Sequence, residues 1–391
     1  MVKPVKNMKR NELKYFKILS TFLLIQILSV SIGNAQEYTS FNPGEIWKDD
    51  QGTHINAHGG GVLYHDGIYY WYGEHKTSGR GGNRAQVGVS CYASTDLYNW
   101  EDKGIALPVD AEGSGSDIEK GSVIERPKVI YNESTGKFVM WFHLELKDKG
   151  YEAARTALAV SDTPTGPFTF VKSLRPNAKT WPMNFPESWK TKTVQEKDLK
   201  AWSDQWKNEV SEGLFVRRDF DQGQMSRDMT LFVDDDGKAY HIHSAEENLT
   251  LHISELTDDY LDFTDKWAIL EPAGHNEAPA IFKKDGRYYM ITSGCTGWDP
   301  NAARSFVADD IMGPWESLGN PAQGKDADIT FDSQSTYILP VQGKDDAFIF
   351  MADRWRPQNA IDGRYIWLPI MFEEGRPVLR WKDNWNMGDF D

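Results

Sequence analysis

Cysteine is nearly absent: only Cys91 and Cys295 occur in 391 residues. So few thiols exclude a disulfide framework, and the pair is expected to be two buried free thiols rather than one bridge. Positive charge is also scarce, with 43 Lys and Arg against 58 Asp and Glu, a formal net of −15. Residues 1–35 hold six bases (Lys3, Lys6, Lys9, Arg10, Lys14, Lys17) and one acid, Glu12, so the remainder carries −20. An acidic surface excludes nucleic acid and anionic membrane as partners and suits a soluble protein that handles a neutral ligand. Beyond residue 35 no stretch is long and apolar enough to span a membrane. The basic stretch, the apolar run Ile18 to Ile32 and the small residues up to Ala35 form a secretory signal peptide over residues 1–35. That run is short for an anchor, and no Cys follows it to carry a lipid. The mature chain is expected to be secreted or periplasmic, free of the membrane and monomeric.

Metal-ligating patterns are missing too. Asp234-Asp235-Asp236-Gly237 lacks the spacing of an EF-hand and reads as a solvated turn. His241 and His243 share one strand face, but two ligands do not make a site. No metal and no cofactor are expected.

What is present is a repeat. A polar residue, a short apolar run, a tight turn and an aromatic run occur together five times: Val62 to Glu74, Val129 to His143, Leu231 to Ser244, Ile281 to Ile291 and Tyr337 to Asp353. Two such runs around a short Gly-containing turn read as a β-hairpin. Counting back from the turn glycines reaches one polar residue in each copy: His58, Glu125, Asp228, Glu277 and Gln334. Another strand and a closing motif ending on an aromatic follow most hairpins, as in Ser94 to Trp100 and Gly313-Pro314-Trp315. Four short strands per unit, repeated radially, describe an all-β, five-bladed β-propeller occupying residues 36–391 as a single domain. Radial order brings the five polar residues to the mouth of one axial pocket. An insertion at about 171–218, rich in Trp, Lys and Glu, separates blades two and three; it reads as a lid or rim loop with a short helix. The last strand has to close the ring, beside the N-terminal segment. The chain has 15 Trp, 16 Tyr and 19 Phe. Such rings fill β-sheet cores, and some of them stack on sugars; Trp298, Trp355 and Trp367 are the candidate platforms.

The motifs Tyr69-Tyr70-Trp71-Tyr72-Gly73-Glu74, Glu125-Arg126-Pro127-Lys128-Val129, Ser226-Arg227-Asp228-Met229, Asn276-Glu277-Ala278-Pro279, Ser293-Gly294-Cys295-Thr296-Gly297-Trp298 and Ser333-Gln334-Ser335-Thr336 follow in blade order. Together they resemble glycoside hydrolase family 43, and within it the exo-β-1,3-galactanase branch. The resemblance implies an oligo- or polysaccharide substrate, with Glu277 as general acid and Asp228 orienting and tuning it. The family's blade-one Asp, its usual general base, is missing: Asn56-Ala57-His58-Gly59-Gly60-Gly61 fills that slot. The galactanase branch also lacks it, and there a Gln and a Glu hold the nucleophilic water, which carries over to Gln334 and Glu125. Sugar contacts carry over to Glu74, Tyr151, Asn248 and Thr296; His58 and Trp298 are added as candidate sugar ligands. A neutral amide is a poor base, so Gln334, Glu125 and His58 all stand as candidates for that role. The implied activity is exo-acting, inverting release of galactose from β-1,3-galactan or arabinogalactan. An α-L-arabinofuranosidase or β-galactofuranosidase is the alternative on the same scaffold, and an inactive carbohydrate-binding propeller the alternative of another class.

Overall fold

The computed structural model describes Met1, residues 37–271 and residues 274–391. The expected signal peptide, Met1 apart, lies outside the described residues. Tyr38–Asp391 form one compact unit. Among the described residues no helix is long and apolar enough to cross a membrane.

Five antiparallel sheets follow one another along the chain. Blade one is β1 (His58–His65), β2 (Ile68–Glu74), β3 (Gly88–Ser94) and β4 (Glu101–Pro108). Blade two is β5 (Val123–Asn132), β6 (Lys137–Glu145), β7 (Arg155–Ser161) and β8 (Thr169–Leu174). Blade three is β9 (Met229–Val233), β10 (Ala239–Ala245), β11 (Thr250–Leu256) and β12 (Phe263–Leu270). Blade four is β13 (Glu277–Lys284), β14 (Arg287–Ser293), β15 (Arg304–Ala308) and β16 (Glu316–Gly319). A short strand, β17 (Ala322–Gln323), then precedes blade five, which is β18 (Gln334–Pro340), β19 (Phe348–Arg354), β20 (Arg364–Glu373) and β21 (Arg376–Arg380). The five-bladed propeller expected from the hairpin register is the fold.

Each blade buries its two faces against its neighbours, which is why the inner strands read as nearly continuous apolar runs. Five apolar clusters fill the five seams, for example Met140 and Phe142 against Tyr72 and Val89 between blades two and one. The seam between blades five and one is the most aromatic: Trp47, Trp71, Trp100, Trp367 and Trp385 pack there with Phe41. Burying rings of this size contributes about 1.5–3 kcal/mol each. This seam closes the ring. Phe41 and Trp385 exchange backbone hydrogen bonds of 2.8 and 3.1 Å, and the Tyr365 hydroxyl donates to the Ile55 carbonyl at 2.7 Å while accepting from the Ala57 amide at 3.0 Å. The N-terminal segment therefore meets the C-terminal one, while the outermost strand β21 pairs in parallel with β17. Trp367, a candidate sugar platform, is 1% exposed and belongs to this core: its strand faces blade one, not solvent.

The insertion differs from the expectation at two points. Val171 to Leu174 belong to strand β8, so it begins at Arg175. It carries three short helices, α1 (Glu187–Lys190), α2 (Asp204–Ser211, capped by the Ser203 side chain) and α3 (Leu214–Arg218). It also packs on the outer strand of blade three rather than over the axis. The Met183 amide donates to the Trp267 carbonyl at 2.8 Å, and Trp267 Nε1 donates to Thr180 Oγ1 at 3.1 Å. No residue from 175 to 218 lines the axial pocket; the insertion braces blade three and reaches the pocket's rim through Arg218, 3.6 Å from Glu247. Both cysteines are free thiols; Cys91 is buried, but Cys295 is only half-buried.

Candidate active site

Each inner strand brings a residue at or near its start to the axis in one register. His58 pairs across its hairpin with Glu74, Glu125 with His143, Glu277 with Ser293 and Gln334 with Asp353. In blades one, two and four the ladder slips by one residue immediately afterwards. The residue after the polar one is left-handed in each case: Gly59 (φ 62°), Arg126 (φ 55°) and Ala278 (φ 54°). Such bulges bend the strand and re-aim the side chain before them. Here they aim Glu125 and Glu277 into a cavity of about 200 Å³.

Blade one solves the absence of its acid differently. Its three glycines let the inner strand approach closely: a Cβ on Gly59 would stand 2.1 Å from Glu74 Oε1, and one on Gly60 1.6 Å from the Tyr72 carbonyl. Glu74, from the second strand, thereby supplies the carboxylate of that wall. It is 4% exposed, accepts from the Arg126 amide at 3.0 Å and pairs with Lys76 Nζ at 2.6 Å. Burial raises its pKa, and Lys76 works against that shift. His58 lies behind this wall. It is fully buried, stacks on Tyr365 with ring centres 5.3 Å apart and stands 3.5 Å from Asp353 Oδ2. It does not line the cavity, so the candidate roles of sugar ligand and base are corrected: the close packing of the glycines leaves His58 no route to the pocket.

Glu125 is held from three sides. His143 Nδ1 lies 2.9 Å from its Oε2, while Asn83 Nδ2 and the Tyr151 hydroxyl each donate to Oε1 at 2.7 Å. Burial opposes its charge, but hydrogen bonding and charge from His143 outweigh burial and hold the carboxyl well below its ordinary range. His143 itself sits between Glu125 and Glu145, the latter 2.9 Å from Nε2. Burial lowers the imidazole, yet the two carboxylates together push it up to about 9. Glu125, His143 and Asp228 offer ligand atoms within 4.8 Å of one another. In this structure His143 Nδ1 faces Glu125 and Asp228 Oδ2 faces the Arg126 guanidinium.

Glu277 is the opposite case. Burial and then the nearby charge of Asp228 raise its pKa to about 7, against weaker lowering by Cys295, Arg126 and Arg227. Its Oε1 accepts from Asn248 Nδ2 at 2.6 Å, and Asn248 adopts a left-handed φ of 64° to reach it. Asp228 Oδ2 accepts from Arg126 Nη2 at 2.9 Å and from the Ala278 amide at 3.2 Å, so it is fixed against the strand that carries Glu277. One carboxyl raised, Glu277, in the same pocket as one held low, Glu125, is the charge pattern of acid–base chemistry.

Gln334 completes the ring. Arg126 Nη2 and Trp355 Nε1 donate to its Oε1 at 2.6 and 2.9 Å, and its Nε2 donates to Ser293 Oγ at 2.9 Å. Guanidinium and indole nitrogens only donate, which settles the amide's orientation. Trp355 and Trp298 meet edge to face at 5.9 Å on the pocket wall. Thr296 is exposed on the loop beside them. Its hydroxyl donates to the Asp299 carbonyl at 2.6 Å and accepts from Asn301 at 2.7 Å, and it does not line the cavity. Thr296 therefore shapes the Trp298 loop rather than facing the pocket. Of the residues expected to bind sugar, Glu74, Tyr151, Asn248 and Trp298 do line the cavity. Lys76, Asn83, His143 and Arg227 line it as well and were not expected from the sequence. His143 had one available signal, its place opposite Glu125 across the hairpin; the other three stand outside the inner register.

The comparisons agree with this geometry. The model of the glycosyl hydrolases family 43 matches residues 174–368. The β-1,3-galactosidase BT3683, solved with galactodeoxynojirimycin, is 56% identical over 89% of this chain and 100% of its own, with a TM-score of 0.86. An exo-β-1,3-galactanase from Clostridium thermocellum is 37% identical over 88% of this chain and 66% of its own, with a TM-score of 0.70. One from Phanerochaete chrysosporium, solved with galactose, is 30% identical over 90% and 70%, with a TM-score of 0.71. Among curated proteins, a β-D-galactofuranosidase from Aspergillus niger is 29% identical over 161 residues, so the match spans 46% of that protein's length. The carboxyl pair Glu277 and Asp228, the five-bladed fold and these likenesses lead to one assignment: the chain belongs to glycoside hydrolase family 43 and is a glycosidase acting on O-glycosyl bonds.

Proposed function

We propose that this protein is a secreted, exo-acting, inverting β-1,3-galactosidase that removes galactose from the ends of β-1,3-galactan, including the backbone of arabinogalactan. The observation that carries the reading is Glu277, raised to about 7 in a cavity of about 200 Å³, within a chain 56% identical to a β-1,3-galactosidase. A cavity of that size suits one terminal sugar rather than a through-running chain.

Glu277 gives its proton to the glycosidic oxygen as the bond from C1 breaks. The negative charge of Asp228 beside it disfavours ionisation of the Glu277 carboxyl. Water attacks C1 from the opposite face, which inverts the configuration. Both lone pairs of Gln334 Oε1 are engaged by Arg126 and Trp355, so the amide orients this water by donating from Nε2 and is not its base. The water's proton passes to Glu125. A carboxylate held so low is a weak base, so this transfer comes late, after the sugar has acquired oxocarbenium character. Tyr151, Asn83, Asn248 and the Glu74–Lys76 pair supply hydrogen bonds of both kinds for sugar hydroxyls.

Galactose release from β-1,3-galactobiose, set beside arabinose and galactofuranose release from aryl furanosides, tests the reading. Galactobiose turnover supports it. Furanoside turnover alone assigns the furanosidase activity, and binding of galactan without turnover of either assigns a carbohydrate-binding propeller. NMR of the first product tests the stereochemistry: a retained β-anomer overturns the inverting step.

A further inference from the structure

A second concavity, of about 790 Å³, lies on blade five outside the catalytic cavity. A small cleft shares Trp298, Trp355 and Gln334 with the catalytic cavity and is also lined by Asn301 and Asp332. Asp332 lines both that cleft and the blade-five basin. Its carboxylate, 43% exposed, is fixed by Arg354 Nε at 3.1 Å. On blade three, by contrast, the rim of the catalytic cavity carries an Arg227–Glu247 ion pair of 3.0 Å.

We propose that the blade-five basin binds further sugar units of the same β-1,3-galactan chain whose terminal residue occupies the catalytic cavity. The inference rests on the proposed galactosidase activity and extends it to the recognition of long substrates. An exo-enzyme that encloses one sugar must pass the rest of the chain over its rim, and Asp332 stands between the cleft beside the catalytic cavity and the basin.

The basin's chemistry fits a neutral polyhydroxyl ligand. The Trp381 ring is partly exposed, with the Arg354 guanidinium 5.8 Å from its centre, and its Nε1 donates to Asp383 at 2.7 Å, which sets the ring's orientation. Arg380 is held by Glu373 at 2.6 and 2.9 Å and by Gln323 at 2.7 Å. Donors and acceptors of both signs thus stand around one indole, preoriented by their own contacts. Asp326, Asp332 and Asp383 on the lining are balanced by Lys325, Arg354 and Arg380, so the basin has no net charge to select an ionic ligand. A sugar ring can place its axial C–H face on the indole and its hydroxyls among these groups.

The test compares the unaltered protein with Trp381→Ala and Trp381→Phe in two measurements. The first is the ratio of kcat/KM on β-1,3-galactan to kcat/KM on β-1,3-galactobiose. The second is retardation of the protein by galactan in native affinity electrophoresis, which needs no turnover. Trp381→Ala is expected to lower the ratio about fivefold, the size of one lost aromatic contact, and to weaken retardation, while Trp381→Phe restores most of both. An unchanged ratio and retardation in Trp381→Ala overturn the proposal, as does an unaltered protein that galactan fails to retard. Thermal melting of each variant separates a folding defect from a binding one. If galactobiose is turned over and only the Trp381 effects are missing, the basin fails and the galactosidase reading stands. If galactobiose is not turned over, that reading fails, and retardation alone then judges the basin.

Discussion

Arg126 Nη2 stands 2.6 Å from Gln334 Oε1 and 2.9 Å from Asp228 Oδ2. One guanidinium nitrogen, carried by blade two, thus joins Asp228 of blade three to Gln334 of blade five, the residues to which the proposed mechanism gives the tuning of the acid and the orientation of the water. Arg126 is 4% exposed, and burial of its charge is outweighed by Asp228 first and then by Glu74 and Glu125. One buried group therefore fixes the positions of both Asp228 and Gln334.

Replacing Glu277 by Gln removes the transferable proton while keeping the hydrogen bond from Asn248. General acid assistance is worth on the order of 10²–10⁴-fold. Turnover of β-1,3-galactobiose is expected to fall within that range, and an aryl galactoside with a good leaving group is expected to lose much less. Equal losses on both substrates argue against the acid role.

The raised pKa of Glu277, about 7, has a definite sign. The acid works when protonated, so kcat/KM is expected to fall as pH rises through about 7, about tenfold per pH unit beyond it. Asp228→Asn deletes a negative charge that disfavours ionisation of Glu277, so the falling limb moves to lower pH. A limb that stays in place in the variant shows that Asp228 does not set this pKa.

Gln334→Ala and Glu125→Gln separate orientation from base catalysis. If Gln334 only orients water, its loss lowers kcat more than it raises KM, and azide restores little. Glu125→Gln removes the proton acceptor and is the variant that azide is expected to rescue, by direct attack on C1, giving an inverted glycosyl azide. Rescue confined to Gln334→Ala reverses the two roles.

His143 links the site to alkaline stability. Its pKa in the folded protein, about 9, exceeds the ordinary value of 6.5. A raised histidine contributes its stability fully below 6.5 and loses it as pH rises through 9. Compared with His143→Gln, the unaltered protein is expected to hold an advantage on the order of 3 kcal/mol near pH 6 that shrinks towards zero above pH 9. The difference between the two proteins is the readout, because buried Lys128, lowered to about 7 by burial and Arg126, changes stability in the opposite direction over part of that range.

Gly60→Ala tests the close approach in blade one. A Cβ there meets the Tyr72 carbonyl at 1.6 Å, and backbone cannot rotate away as a side chain can. A loss of about 3 kcal/mol or more is expected in denaturant unfolding, with Gly67→Ala, whose Cβ meets nothing within 4 Å but whose φ is 84°, costing less.

The sequence alone determined the blade count, the axial register and four of the polar residues that line the pocket, Glu125, Asp228, Glu277 and Gln334. Hairpins are local: turn chemistry and period-two burial act within some twenty residues, so five copies of one pattern are visible without knowing how they pack. His58 belongs to the same register and was legible to the same degree, yet it lies behind the wall. Whether a residue at that position faces the cavity depends on the bulge after it and on how close the neighbouring strand comes, and both are tertiary matters. The clamp from Arg126 joins residues 102 and 208 positions apart, a distance over which periodicity says nothing. Lys76 and Arg227 enter the pocket from loops and Asn83 from a short 3-10 helix, whose paths follow from blade packing rather than from any local pattern. Tertiary structure alone decided which carboxyl is protonated, because the pKa values of Glu125 and Glu277 are set in opposite directions by burial, His143 and Asp228, and these neighbours meet only once the ring has closed.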